Sequence, residues 1–562
     1  MTLTTQEASR RKLADLNALV SDAEALLGPA PAGDKAILSA KTADIVANIK
    51  ARKEGWSSEA VTAAFIRAAC AAHRKTNCLT EALEAARAVD KELATGVDAS
   101  KLGPFYGLPS SFKGLSLSLR PRSDVSVAGK GAWLANPQLV KLFRAGGGIP
   151  FCKTGVPQTL LAFECSNPVF GTTTNPYDSS RTCGGSSGGE AALVTLRGTP
   201  VGWGSDIGGS LRIPALYSGC CGLKPTVGRW ALLGNRPVVR GQESILPTTG
   251  PMASNVDDLI YASKAMMDLT TRALEDGKMA AEGLLPIPWR EKTLPKRMKV
   301  GYYRETGVVR TSPALLRALD ITIAKLRAEG HEVVEWDPPA LWKVFEVFAA
   351  LTSADGYRQL LANIGPDPKE PSLALVTAGS SVPRWLLSLA TSLVKNVLGD
   401  ETFAHVMATS HAKSASELFE WVAQRNKLNK EFKTKAWEQQ GFDFVLGPPQ
   451  AVPALEHGRT KMLSPLCIGT CVWNVLDTTA GVIPVTRVRK DLDAVPEGWL
   501  EIGEGEARSS ILEKRVYGGS DPAYDAGKME GLPVGVQIVG RQWDEEGVLA
   551  AMKLVEGLVD YQ

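Results

Sequence analysis

The chain has 562 residues, 44% of them hydrophobic, with 63 basic and 60 acidic side chains for a net charge of +3. That balance, with no long basic block, gives no footing for nucleic acid, while the hydrophobic content is ample for a large core. The N-terminal run MTLTTQEASRRKLADLNALVSDAEALLG has no continuous apolar stretch, and no window reaches the ~18 uninterrupted apolar residues of a membrane span. The expected location is therefore intracellular and cytoplasmic.

Residues 6–27 and 37–95 are rich in Ala, Leu, Glu, Lys and Arg at helical spacing. Leu13, Leu16, Val20, Ala23 and Leu27 form one such stripe. This pattern predicts a helical N-terminal layer over 1–95, ahead of a larger unit over 96–562. From about residue 104 the chain changes to short apolar runs divided by Gly and Pro, such as FYGLPSSFKG and GGIPFCKTGVP, and these alternate with helical stretches. Alternation of that kind predicts an α/β fold. Strands are expected at 298–305, 331–339, 441–449, 481–486 and 532–540. A helix is expected from Thr311 to Glu329, with Ser312-Pro313 at its start and Gly330 just past its end. Residues 487–530 are polar and rich in Gly and Asp, and are read as a long surface excursion.

The stretch VPRWLLSLATSLVKNVLG (382–399) is apolar around more than half its circumference, and Arg384 and Lys395 are its only charges. A helix this apolar is buried in the core, packed in a homodimer interface, or laid against a membrane as a peripheral contact and entry point for lipid. The sequence leaves all three open.

Nine cysteines are present, an odd number without a CxxC motif and mostly in apolar runs, which fits buried, reduced thiols. Cys467 and Cys471 have one-turn helical spacing, but no second His or Cys pair lies nearby to complete a metal site. No metal and no cofactor are expected.

Residues 183–214, CGGSSGGEAALVTLRGTPVGWGSDIGGSLRIP, are the most informative segment. Ser186 and Ser210 each sit among glycines, which lets backbone N–H groups approach a substrate oxygen. Three chemistries use serines set among glycines. A GxSxG elbow at 184–188 needs a strand before the serine and a later histidine, and NPYDSSRT before it is turn chemistry. A phosphate loop needs the G-K-[ST] ending that GGSSGG lacks. A serine–lysine system needs no histidine. Lys113, at the end of an apolar run, can serve as its base, because burial of an ammonium lowers its pKa.

The order Lys113, then Gly185-Ser186-Ser187-Gly188-Gly189, then Gly204-Ser205-Asp206-Ile207-Gly208-Gly209-Ser210 resembles the amidase signature family. LRIPALYSGCCGLKPTVGR, KTGVPQTLLAFECSNPVFGTTTNP (153–176), VIPVT and VGRQW extend the likeness over roughly residues 40–560. The resemblance implies a single large domain with a central, mixed, twisted sheet covered by helices on both faces. It implies Ser210 as nucleophile, Ser186 as relay on a cis peptide bond, and Lys113 as base and then acid. It also implies an oxyanion hole from the N–H groups of Ile207, Gly208, Gly209 and Ser210, supported by an Asp206–Arg212 ion pair. One departure is Gly114, where the family commonly has an acidic residue after the lysine. The segment LSLSLRPRSDVSVAGKGAWLANP (115–137) also fits loosely.

Two branches of the family look close. Fungal-type acetamidases share IPWR (287–290) and GYYRE (301–305). Fatty acid amide hydrolases share VPQTLLAFECSNPVFG and carry an apolar cap helix. The second branch implies an acyl channel lined by Leu160, Ala162 and Phe163. The expected partner is a small-molecule amide, cleaved to acid and amine. Short aliphatic amides, carbamates or esters, a transamidase subunit and a non-catalytic scaffold stand as alternatives.

Overall fold

The computed structural model describes residues 5–82, 102–114, 138–230, 239–278, 284, 285, 287–364, 367–501 and 508–561. Its strands, in chain order, are β1 (Leu79–Ala82), β2 (Pro109–Lys113), β3 (Ile149–Thr154), β4 (Ser166–Asn167), β5 (Gly171–Thr172), β6 (Val201–Asp206), β7 (Cys221–Lys224), β8 (Thr248–Ala253), β9 (Lys299–Tyr302), β10 (Glu332–Glu335), β11 (Phe444–Gly447), β12 (Ala480–Arg487) and β13 (Pro533–Val539). Eleven of these form one sheet in the order β1-β3-β2-β6-β8-β7-β12-β13-β11-β9-β10, and β4 pairs with β5.

The sheet is mixed. β2 runs parallel to β3 and β6, and β9 runs parallel to β10 and β11; β6–β8 and β12–β13 are antiparallel. Every residue of β6, β8 and β13 is buried, so both faces of the sheet are covered. The helix Arg212–Ser218 packs on β7, β12 and β13, Val256–Glu275 on β7 and β8, and Pro313–Ala328 on β10, β12 and β13. The expected single α/β domain with a mixed central sheet is the architecture observed.

The helix expected from Thr311 spans Pro313–Ala328, with Ser312 as cap and Gly330 at φ +85° beyond its end. The five predicted strands appear as β9 to β13. Two expectations need correction. The N-terminal layer is not helical throughout its described residues. Helices span Asp34–Ser39, Thr42–Lys50 and Ser58–Thr76, after which Asn77, left-handed at φ +53°, ends the last of them. The chain then enters β1, antiparallel to β3 at the sheet edge; tertiary pairing overrides a helix-like composition there. Residues 83–101 lie outside the described set, as does the boundary expected at 95/96. On either side of it the core is continuous: Ile45, Ile49 and Phe65 belong to the same cluster as Leu193 and Trp203.

The stretch 487–530 is also more than a surface excursion. It contains a helix, Ser510–Tyr517, capped by the Ser509 side chain. Asp493, Tyr524 and Met529 are buried, with Asp493 held by Arg317 at 2.7 Å. Paired charges let polar residues go inside, which composition alone does not reveal.

The apolar stretch forms the helix Arg384–Asn396. It is not a core helix. Leu387 and Val394 are buried, whereas Trp385 (70% exposed), Leu389, Leu393, Val397 and Leu398 face outward. Among the described residues, no helix is long and apolar enough to cross a membrane.

Candidate active site

Lys113 closes β2, a strand buried at every position between β3 and β6. Alternation along the strand puts Ser111 and Lys113 on the same face. The amine is buried at 2% exposure, 2.7 Å from Ser186 Oγ, 3.0 Å from Ser205 Oγ and 3.3 Å from Ser205 O. Burial is the largest influence and lowers its pKa to about 7, against the opposing pull of Asp206, Cys165 and Glu190.

Ser186 follows a cis peptide bond from Gly185 and precedes the helix Gly188–Thr195. No strand precedes it, so the elbow geometry is not the one adopted. Gly185 is required by close approach: a Cβ there would sit 2.7 Å from Ala162 O. The two serine loops are tied together directly, since Ser187 N–H donates to Ser210 O at 3.1 Å. Ser187 Oγ also donates to Ser205 O at 3.3 Å.

Asp206 and Arg212 form the expected ion pair, both fully buried and 3.0 Å apart. Burial alone would raise the Asp206 carboxyl, but Arg212 beside it holds the group well below the usual range. Arg212 also reaches Thr470 O (2.8 Å), Gln537 Oε1 (2.8 Å) and Asn474 Oδ1 (2.7 Å). Asp206 accepts N–H bonds from Leu211 (3.1 Å) and Gly209 (2.8 Å).

That last bond revises one expected role. The Gly209 N–H is bonded to Asp206, so it is not a free donor for an oxyanion. Gly209, at φ +126°, instead turns the loop, and Thr470 Oγ1 fixes it by donating to Gly208 O at 2.9 Å. Among the described residues, the N–H groups of Ile207, Gly208 and Ser210 have no protein acceptor.

Ser210, Gly185, Ile207 and Gly208 form one end of a cavity of about 510 Å³. Leu160, Ala162 and Phe163 line it, together with Leu386 of the apolar stretch and with Phe345, Phe348, Phe403 and Met407, which sequence reading did not single out. Two hydroxyls in the wall fold back on their own helices: Thr352 Oγ1 donates to Phe348 O (2.7 Å) and Ser410 Oγ to Val406 O (2.9 Å). Such back-bonding uses up the donor and leaves an apolar lining.

Sequence reading also passed over Ser205 and Glu190. Ser205 stood inside the quoted motif, but nothing in the pattern marked it as a partner of the lysine. Glu190 looked like an ordinary helix residue. It is fully buried and accepts hydrogen bonds from Ser111 Oγ (2.5 Å) and Thr154 Oγ1 (2.8 Å). Burial raises its pKa to about 8, against those two bonds and the attraction of Lys113. The five histidines are engaged elsewhere. His73 accepts from Leu79 N–H and His331 from Met298 N–H; His405 lies beside Glu346, His411 beside Ala412 O, and His457 beside Glu164.

Lys113 is bonded to Ser186, and Ser210 lines an apolar cavity. The amidase family model matches residues 60–549, and the chain belongs to that family, whose members act on amide C–N bonds. It is 34% identical over 510 residues to fatty acid amide hydrolase 1 of Caenorhabditis elegans, covering 88% of this chain and 84% of that one. It is 30% identical over 526 residues to an acetamidase of Aspergillus oryzae, covering 89% and 86%. The solved structure of a fatty acid amide hydrolase superposes with a TM-score of 0.79 at 26% identity, covering 99% of this chain and 94% of that one.

Proposed function

We propose that this amide hydrolase cleaves amides of long, apolar acyl chains through a Ser210–Ser186–Lys113 proton relay. The observation that carries the reading is the buried Lys113 amine, 2.7 Å from Ser186 Oγ, whose neighbour Gly185 lines the same apolar cavity as Ser210. A neutral amine has two N–H donors and one lone pair. Three oxygens surround the amine, Ser186 Oγ, Ser205 O and Ser205 Oγ; in the neutral form proposed here, two N–H groups serve the Ser205 oxygens and the lone pair is left for the Ser186 hydroxyl proton.

In the acylation step, Ser210 Oγ attacks the amide carbonyl carbon. Its proton passes to Ser186 Oγ as the Ser186 proton passes to Lys113 Nζ. The carbonyl oxygen becomes an oxyanion, met by N–H groups of Ile207, Gly208 and Ser210; donors of this kind are worth roughly 3–4 kcal/mol each. Collapse breaks the C–N bond. The proton returns from Lys113 through Ser186 to the leaving nitrogen, which departs as amine. Water then attacks the Ser210 ester by the same route in reverse, releasing the acid.

The acyl preference is supported by the aromatic and aliphatic lining and by the folded-back hydroxyls. The bare outer face of the helix Arg384–Asn396 supports a peripheral membrane contact, since its pocket-lining Leu387 and Ala390 lie across the helix from exposed Trp385 and Leu389.

Acetamide, hexanamide and a long-chain acyl ethanolamide, compared as substrates of the purified chain, test the reading. kcat/KM should climb steeply with chain length, and Ser210→Ala should abolish turnover and labelling by a fluorophosphonate. A preference for acetamide would establish the short-chain alternative, and undiminished turnover in Ser210→Ala would end the serine mechanism.

A further inference from the structure

The helix Gly188–Thr195 packs on β2, β3 and β6, and Glu190, fully buried, is its only charged residue. Glu190 Oε2 accepts from Ser111 Oγ of β2 at 2.5 Å, and Oε1 accepts from Thr154 Oγ1 of β3 at 2.8 Å. Gly202 of β6 completes the seat, since a Cβ there would collide with Glu190 Oε2. One carboxyl thus meets three adjacent strands.

Those strands surround the lysine. Ser111 lies two residues before Lys113 on the same face of β2, and Thr154 is the residue paired with Lys113 across β2 and β3. Glu190 itself stands four positions after Ser186. Its side chain therefore ties the strand of the base to the helix of the relay serine.

A carboxyl buried this deeply needs a cation or a proton. Its two hydroxyl partners suit either form, because a hydroxyl can donate to a carboxylate or accept from a carboxylic acid. The charge that attracts it is Lys113, and Lys113 is attracted in turn by Asp206, Cys165 and Glu190. The other ionisable groups around the pair are thiols. Burial pushes Cys78 up to about 12 and Cys152 well above the usual thiol range, whereas the Cys183 thiol draws Cys165 down. Lys113 and Glu190 together can lose one proton in two ways. Loss from Lys113 leaves a free amine beside a carboxylic acid. Loss from Glu190 leaves an ammonium beside a carboxylate, and an ammonium cannot take up the Ser186 proton.

We propose that Glu190 is a positioning residue for the hydrolysis: its carboxyl pins the strand of the base to the helix of the relay serine, and its charge state decides whether Lys113 is free to act as base. The inference rests on the Ser210–Ser186–Lys113 relay proposed above. Glu190 touches no substrate and gains or loses only a proton.

The test measures kcat and KM against pH for whichever of acetamide, hexanamide and a long-chain acyl ethanolamide the wild type cleaves fastest. Wild type, Glu190→Gln and Glu190→Ala are compared, with rates normalised to sites titrated by a fluorophosphonate. Gln keeps the length of the side chain but cannot ionise, so the inactive arrangement is lost. The midpoint of the acid limb should fall by roughly half a pH unit or more, with the plateau kept within about threefold. Glu190→Ala unties the helix from the strands and should lower the plateau kcat by about tenfold or more, with KM nearly unchanged. A wild-type midpoint in Glu190→Gln, or a wild-type kcat in Glu190→Ala, would overturn the inference and leave the relay standing. The midpoint is read within each enzyme, so partial loss of folded protein does not move it, and Glu190→Gln decides alone where Glu190→Ala does not fold. An acid limb that survives in Lys113→Ala would overturn the relay and this inference with it.

Discussion

Lys113 holds its amine on a central strand, out of reach of water, and that position makes a normally cationic group available as a base near neutrality. The neutral form is the one that can take the Ser186 proton. With the pKa lowered to about 7, kcat/KM should rise with pH and reach half its plateau near pH 7. Lys113→Ala should remove that limb and cut kcat/KM at neutral pH by about 10²–10⁴-fold. A full pH–rate series on both proteins is the check, and an unchanged acid limb in the variant would assign the titration to another group. Ser205 belongs to the same unit. It meets the amine with both its carbonyl and its hydroxyl. Gly209 shows how one atom changes a role: its N–H secures the loop through Asp206, while the N–H groups of Ile207, Gly208 and Ser210 have no protein acceptor among the described residues.

At the scale of elements, the helix Arg384–Asn396 has two unlike sides. Its inner side chains close the cavity, and its outer ones lie bare. Replacing Leu386, Leu389 and Leu393 with Ser should weaken binding to anionic phospholipid vesicles by about tenfold or more, measured by co-sedimentation. Unaltered vesicle binding, with loss of self-association in sedimentation velocity, would make this face a dimer contact instead. The helix was legible in the sequence from its continuous apolar wrap, but its exposure was not, because a core helix and a lipid-facing helix share one composition. The serine loops were legible because glycines at fixed offsets have few structural uses. β1 was not, since Leu79–Ala82 gains its strand form from β3, a partner more than sixty residues away. Nor was the wall from Phe345 to Met407, which only the tertiary fold brings opposite Leu160 and Phe163.

Across the whole molecule, the N-terminal helices and the catalytic sheet share one interior. The helix Ser58–Thr76 packs against both Gly188–Thr195 and β2, the elements that flank Ser186 and carry Lys113. Phe65 is fully buried in that interior. Phe65→Ala should destabilise the fold by about 3–5 kcal/mol. In a urea titration, fluorophosphonate labelling of Ser210 should be lost in step with the circular dichroism signal. Labelling that outlasts the loss of helix signal would show instead that the N-terminal layer comes away by itself.

Leu386 lines the cavity and is also 41% exposed on the outer surface. One side chain thus belongs to both the cavity wall and the exposed face of the molecule. On the reading proposed above, a substitution selected here for acyl preference would change surface attachment in the same stroke, so the two traits would be inherited together rather than tuned apart.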